Sequence, residues 1–152
     1  MADRKLNVYI AGSNNPMEKG RVSAAMSMVK SHPHMHLTLN WLEIIEAEGS
    51  ANAGLSYAVR HKAALDDIEG VIAANVLWLL APDNGGKGCW FEAGVAEGWN
   101  RAAKMPQQQI QIIASGNTQQ SIFCACMQEF ATDRDAFFKL ASFADAFVES
   151  FV

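Results

Sequence analysis

Long apolar runs are missing from this chain. No stretch approaches the roughly 20 consecutive apolar residues that a membrane-spanning helix needs. The opening Met1-Ala2-Asp3-Arg4-Lys5 leads into an apolar run too brief for a signal peptide. Cysteine is scarce, with only Cys89, Cys124 and Cys126. An odd count without a leader argues against a disulfide framework and for reduced thiols. Cys124-x-Cys126 lacks the spacing of a redox or zinc pair, so buried thiols are expected. There is no basic stripe, and the formal net charge is −4. That argues against a nucleic-acid polymer as partner. Internal repeats and low-complexity segments are also absent. These features lead us to expect a soluble, cytoplasmic protein with no membrane partner.

What is present is a core. Half of the 152 residues are apolar, enough for one domain over 1–152. Apolar runs and helical patterns alternate at about 30-residue intervals, the rhythm of βαβ units. Leu6 to Ala11 reads as a first strand, Met35 to Leu39 as a second, Val76 to Leu80 as a third and Ile110 to Ala114 as a fourth. Helices are expected at about Glu18–Ser31, Ser56–Glu69, Trp90–Ala103 and Asp133–Ser150. Val59, Ala63 and Ile68 should point inward from the second of these. Asn40 to Gly54 has no clear pattern, and its Gly49–Gly54 end suggests a mobile loop. Ile122 to Phe130 suggests a short helix and an edge strand. The expected fold is α/β, a parallel sheet with helices on both faces.

The centre of the chain is Val76 to Ala103. An apolar strand runs into Pro82-Asp83-Asn84-Gly85-Gly86-Lys87-Gly88 and then into a helix. Val76-Leu77-Trp78-Leu79-Leu80 does not alternate, as befits a strand covered on both faces. Ligands of such sheets bind at the carboxyl ends of the strands. Three turns fall there: Gly12-Ser13-Asn14, Asp83 to Gly88, and Ser115-Gly116-Asn117. They are expected to line one pocket, with Gly12, Ser13, Asn14, Asp83, Gly86, Gly88, Ser115, Gly116 and Asn117 as candidate substrate contacts. Gly88 follows Lys87 where a triphosphate loop requires Ser or Thr, so that motif fails. Backbone amides at the helix start could still hold a monophosphate or a sugar hydroxyl.

Two carboxylates stand out. Glu92 is expected in the first turn of its helix, where the helix dipole favours an ionised carboxylate. Helix-end charge complementarity is the ordinary alternative. Gly88, Gly94 and Gly98 surround it, each interior glycine costing about 1 kcal/mol of helix stability. Such glycines serve where a sheet, a subunit or a ligand approaches closely. Asp67 lies near the end of the preceding helix, where an acid opposes the dipole. Paired carboxylates serve glycosidic chemistry, although Asp67 could also be a solvated charge. Trp90 could cover a base or ribose, while Trp78 and Trp99 read as core. Lys19 or Arg21 could reach a phosphate, against the commoner solvated role. His32, His34 and His36 would share one side of an extended segment. No acid or thiol lies near them in sequence, and no metal or cofactor is expected.

Lys87-Gly88-Cys89-Trp90-Phe91-Glu92-Ala93-Gly94-Val95-Ala96 resembles the G-[RT]-x-x-E-x-G-x-A signature of the nucleoside 2-deoxyribosyltransferase superfamily. That group includes the 2′-deoxynucleoside 5′-monophosphate N-glycosidases. Val8-Tyr9-Ile10-Ala11-Gly12-Ser13 is similar to its first strand and loop, and Asp67 to Asn75 to its aspartate segment. Ile112 to Gly116 and Ile122-Phe123 fit as well. The resemblance implies a flavodoxin-like three-layer αβα sandwich with a five-stranded parallel sheet, and a homo-oligomer, at least a dimer. It also implies a small-molecule nucleoside or nucleotide substrate. In it Glu92 attacks C1′, Asp67 helps to protonate the leaving base and Tyr9 orients the glutamate. Ser13, Gly88 and Ser115 would lie near the sugar 5′ end. Gly86 and Lys87 stand where transferases often carry an acid, so hydrolysis and transfer both stay open. Two other readings compete: a noncatalytic nucleotide-binding or sensing domain, and an NAD-cleaving glycohydrolase on a related sheet.

Overall fold

A computed structural model describes residues 4–48 and 56–151. Its five strands are β1 (Leu6–Ala11), β2 (Met35–Leu37), β3 (Val76–Ala81), β4 (Gln111–Gly116) and β5 (Gln128–Phe130). All are parallel, in the order β2-β1-β3-β4-β5. The helices are α1 (Lys19–Ser31), α2 (Trp41–Glu48), α3 (Tyr57–Ile72), α4 (Lys87–Ala102) and α5 (Asp133–Glu149). This is the flavodoxin-like arrangement, with its topological switch between β1 and β3.

Register explains the layering. Ile10 pairs with Trp78, and Trp78 with Ile113, so these side chains share one face. That face meets α1 and α5, where Trp78 stacks on Phe137 with ring centroids 6.5 Å apart. Tyr9, Leu77 and Ile112 share the opposite face, which meets α3 and α4. All six residues of β3 are buried, as an unalternating apolar strand between two helical layers requires.

The helix starts follow from local chemistry. Ser56 caps α3 by accepting from the Val59 amide, and Thr132 caps α5 by accepting from the Asp135 amide. The α4 start has no side-chain cap. Gly86 supplies it from the left-handed region at φ 74°, a conformation glycine adopts without strain.

Several sequence expectations need adjusting. α4 begins at Lys87, three residues before the expected Trp90. β4 runs on to Gly116, so Ser115 and Gly116 end a strand and do not form the turn. The unreadable segment contains α2, and the suggested loop at 49–54 lies outside the described residues. Val59 points to solvent, because only Gly70 and Val71 of α3 are buried. Trp99 is 40% exposed and therefore not core, its indole N–H donating to the Gln108 carbonyl. Cys89 and Cys124 are buried, but Cys126 is exposed.

Arg21 ties the carboxyl ends of the sheet together. Nε donates to Asp133 Oδ2 at 2.6 Å and Nη2 to Asp133 Oδ1 at 2.7 Å. Nη2 also reaches the Ser115 carbonyl, and Nη1 reaches the Ala81 carbonyl and Glu18. All five guanidinium N–H groups therefore have partners. Burial alone would raise the Asp133 carboxyl, but hydrogen bonds from Arg21 and Ser115 outweigh it and hold it below the usual range. The guanidinium lies against Gly116, which at φ 90° has no Cβ to obstruct it.

Candidate active site

The β3 strand delivers the chain to Pro82 at the switch point, and the loop to Gly86 turns it into α4. Glu92 is the sixth residue of that helix, hence in its second turn. The expected help from the helix dipole is therefore weak, since it fades beyond the first turn. Glu92 faces the sheet and is only 9% exposed. Burial, its largest influence, and the nearby Asp67 push its carboxyl up to about 8, against a smaller downward pull from Tyr9. The structure thus replaces a dipole-stabilised carboxylate with a buried carboxyl that holds its proton near neutrality.

Tyr9 projects from β1 between the two acids. Its hydroxyl lies 2.9 Å from Glu92 Oε1 and 3.4 Å from Asp67 Oδ1. It has one proton, which the shorter contact assigns to Glu92 when that carboxyl is ionised. Burial and both carboxylates raise the phenol far above its ordinary value, so it stays protonated. Asp67, half-buried on α3, is pushed up to about 6 by burial, with Asp66 adding to this and Tyr9 opposing it. Two carboxyls, one phenol and a proton chain through that phenol make one cluster. Glu92 Oε2 is buried and has no hydrogen-bond partner among the described residues. A buried polar atom in that state needs an explanation.

Gly70, which the sequence did not single out, lets this cluster form. A Cβ there would come within 3.0 Å of Tyr9 Cε2 and 3.1 Å of Leu39 Cβ. The signal was an unexplained glycine near the end of α3. We expect Gly70→Ala to displace the Tyr9 ring and lengthen its hydrogen bond to Glu92. Its thermal midpoint should barely move, because the helix gains up to about 1 kcal/mol from alanine. A crystal structure of the variant beside a melting curve checks both.

The glycine loop is braced by Glu18 and Gln120, which no sequence pattern marked, and by Asn117. Glu18 Oε1 accepts from the Asp83 amide at 3.0 Å. Gln120 Nε2 donates to the Pro82 and Asp83 carbonyls, both at 2.6 Å. Asn117 Nδ2 donates to Asp83 Oδ1 at 3.5 Å. Gly12, Ser13 and Asn14 follow β1 across the switch point from this loop. Ser13 is buried and its Oγ accepts from the Asn15 amide. Gly88 lies in the first turn of α4, with open space where a Cβ would be.

Other candidates go elsewhere. Ser115 projects toward α1 and α5, the face opposite Glu92. Its hydroxyl accepts from Trp78 Nε1 and donates to Asp133. Trp90 lies two residues from Glu92, so it leaves α4 on the other side. There it lines an apolar groove with Ala93, Gly94, Ile112, Phe123 and Met127. Lys19 pairs with Glu46 at 2.7 Å. The histidines have an acid near them after all: His34 Nδ1 meets Asp145 at 2.9 Å. Among the described residues, no group of three or more His, Cys, Asp or Glu could hold a metal ion, and no helix is long and apolar enough to cross a membrane.

No family model matches this chain, and none of the curated proteins does. Among solved structures, it is similar to the CMP N-glycosidase BcmB of Clostridium botulinum. The two are 12% identical, with a TM-score of 0.48 over 90% of this chain and 98% of that one.

Proposed function

We propose that this protein is an enzyme that cleaves or transfers the N-glycosidic bond of a nucleoside or nucleoside 5′-monophosphate through Glu92. One observation carries the reading: Glu92 is buried with Oε1 beside the Tyr9 hydroxyl and Oε2 unpartnered among the described residues. Oε2 is the oxygen that would bond C1′ as the C1′–N bond breaks. The departing base takes a proton from Asp67. Water or an acceptor base then releases the sugar from Glu92.

Spacing is compatible with a covalent route. Asp67 Oδ1 and Glu92 Oε1 both lie within reach of one hydroxyl, at 3.4 Å and 2.9 Å. They can be no further apart than those two lengths end to end. That limit on the two nearest oxygens is compatible with the roughly 5–5.5 Å between the carboxyl groups of retaining pairs. Gly12, Ser13, Asn14, Asp83, Gly86 and Gly88 are the proposed contacts for the sugar and its 5′ end. Backbone amides, not a cation from α1, would meet a phosphate there, since Arg21 and Lys19 are already paired.

The pair also sets the expected pH profile. With Asp67 at about 6 and Glu92 at about 8, it holds one proton between these values. The reactive form, ionised Glu92 with protonated Asp67, is a tautomer of that state. Passing the proton through the Tyr9 hydroxyl reaches it. Below about 6 both acids are protonated and the nucleophile is lost. Above about 8 both are ionised and the general acid is lost. We expect kcat/KM to be bell-shaped with limbs near those values. A flat profile across both limbs would remove the pair from the mechanism.

The primary test is chromatography of free base released from deoxy- and ribonucleosides, their 5′-monophosphates and NAD, each with and without an acceptor base. Release without acceptor marks a hydrolase, and exchange only with acceptor marks a transferase. Nicotinamide from NAD alone would favour the glycohydrolase reading. Saturable binding with no release from any compound would overturn the enzymatic reading in favour of a sensor.

A further inference from the structure

We infer that Thr38 is a positioning residue: its hydroxyl latches the end of α3 to the sheet and thereby holds Asp67 against Tyr9. The consequence for base release rests on the glycosidic reading, while the latch itself is measured without substrate. Thr38 follows the last residue of β2. Its amide donates to the Val8 carbonyl at 2.9 Å, which fixes its backbone to β1. Its Oγ1 lies 2.9 Å from the Gly70 carbonyl and 3.4 Å from the Val8 carbonyl. A hydroxyl has one proton, and the shorter contact gives it to Gly70.

Gly70 needs that donor. The last carbonyls of a helix have no partner within it. Gly70 stands near the end of α3, and the Ala74 amide that a longer helix would offer it turns to Val71 instead. The bond does more than cap a stray carbonyl, because α3 has little else to hold it to the sheet. Its burial is confined to Gly70 and Val71. Beyond that it packs chiefly against α4.

Asp67 lies one turn before Gly70, on the same face of α3. The contacts therefore close on β1. Val8 holds Thr38, Thr38 holds Gly70, and one turn of helix sets Asp67 beside the hydroxyl of Tyr9, the next residue of β1. The Tyr9–Asp67 contact is 3.4 Å, near the limit of a hydrogen bond. A retreat of α3 by about 0.5 Å breaks it. The same retreat admits water to Asp67, whose raised value comes first from burial. The other groups acting on Asp67 are Tyr9 from β1, Glu92 from α4 and Asp66 on α3, which is paired with Lys62. Thr38 carries no charge, so a change there reaches Asp67 only through the placement of α3.

Carbon-13 NMR titration of the Asp67 carboxyl in the substrate-free protein tests this in Thr38→Val and Thr38→Ser. Valine keeps the shape and removes the donor, and serine restores the donor. The Asp67 midpoint, about 6 in the natural chain, should fall by about one pH unit in Thr38→Val, because lost burial outweighs the lost Tyr9 bond. Thr38→Ser should keep the natural midpoint. Amides in the last turn of α3 should exchange about tenfold faster in Thr38→Val, while β3 keeps its protection and so reports an intact fold. Base release should fall about tenfold in kcat with KM within about twofold, and recover in Thr38→Ser. An unmoved Asp67 midpoint in Thr38→Val, or a shift that serine fails to reverse, would overturn the latch. A natural chain that releases no base removes the glycosidic reading instead, and the titration still decides the latch.

Discussion

Glu92→Gln should abolish base release, by at least about 10³-fold in kcat, and yet make the protein more stable at neutral pH. The loss follows from chemistry. An amide of the same shape keeps the bond with Tyr9 but cannot form the glycosyl ester. The gain follows from linkage. Glu92 has an ordinary value of 4.5 and a folded value of about 8. Between those pH values the unfolded chain releases a proton that the folded chain keeps. Each pH unit across that window therefore favours unfolding by about 1.4 kcal/mol. At pH 7 the accumulated cost is about 3–4 kcal/mol, and the variant recovers about 2–3 kcal/mol of it once its unpaired amide N–H is allowed for. Below 4.5 both states are protonated and the cost disappears. Denaturant melts at pH 7 and pH 4 should thus show a clear gain at the first and none at the second. Activity lost without that pH-dependent gain would mean that the carboxyl is not held in its buried, protonated state. Activity retained would end the assignment of Glu92 as nucleophile.

A gain of this kind is what a functional carboxyl predicts. A charge-bearing group placed for stability would be solvated or paired, as Lys19 is with Glu46. Glu92 is instead buried beside a second acid, with one oxygen unmatched among the described residues. The fold tolerates the cost because the surrounding β1 and β3 are almost wholly buried and over-determine the backbone.

The sequence made the sheet and the cluster legible for different reasons. β1 and β3 could be read because a buried parallel strand has no polar alternation to confuse it. Glu92, Asp67 and Tyr9 came from a signature and from unusual helix positions, and the structure brings them around one hydroxyl. The direction of Glu92's perturbation could not be read that way. It depends on where α4 starts, and Gly86 begins that helix from a left-handed φ that no apolar period reveals. Side-chain direction was equally hidden at Ser115 and Trp90. A β4 that continues for two more residues turns Ser115 toward Asp133, and two residues of helix turn Trp90 away from Glu92. Gln120 and Glu18 were invisible because their partners are 38 and 65 positions away in the chain.

Arg21→Met should be the most damaging substitution away from the cluster, costing about 3 kcal/mol. The side chain is 24% exposed, and its main partner, Asp133, is 26% exposed. Removing the guanidinium leaves Asp133 with Ser115 alone and strips a donor from the Ala81 and Ser115 carbonyls. For a chain of this size the melting temperature should fall by about 6–12 °C. The sign of the pH dependence is opposite to that at Glu92. Asp133 is held below its ordinary 3.8, so its pairing contributes stability above that value and loses it as pH falls through the folded value. The gap between the natural chain and the variant should therefore be widest near neutrality and narrow below about pH 4. Kinetics separate this structural role from the phosphate contact that Arg21's position near α1's start had suggested. With all five N–H groups engaged inside the fold, the variant should keep the natural ratio of kcat/KM between a 5′-monophosphate and its nucleoside. A selective collapse on the monophosphate would instead place Arg21 on the substrate and require its bonds to Ala81 and Ser115 to open when substrate binds.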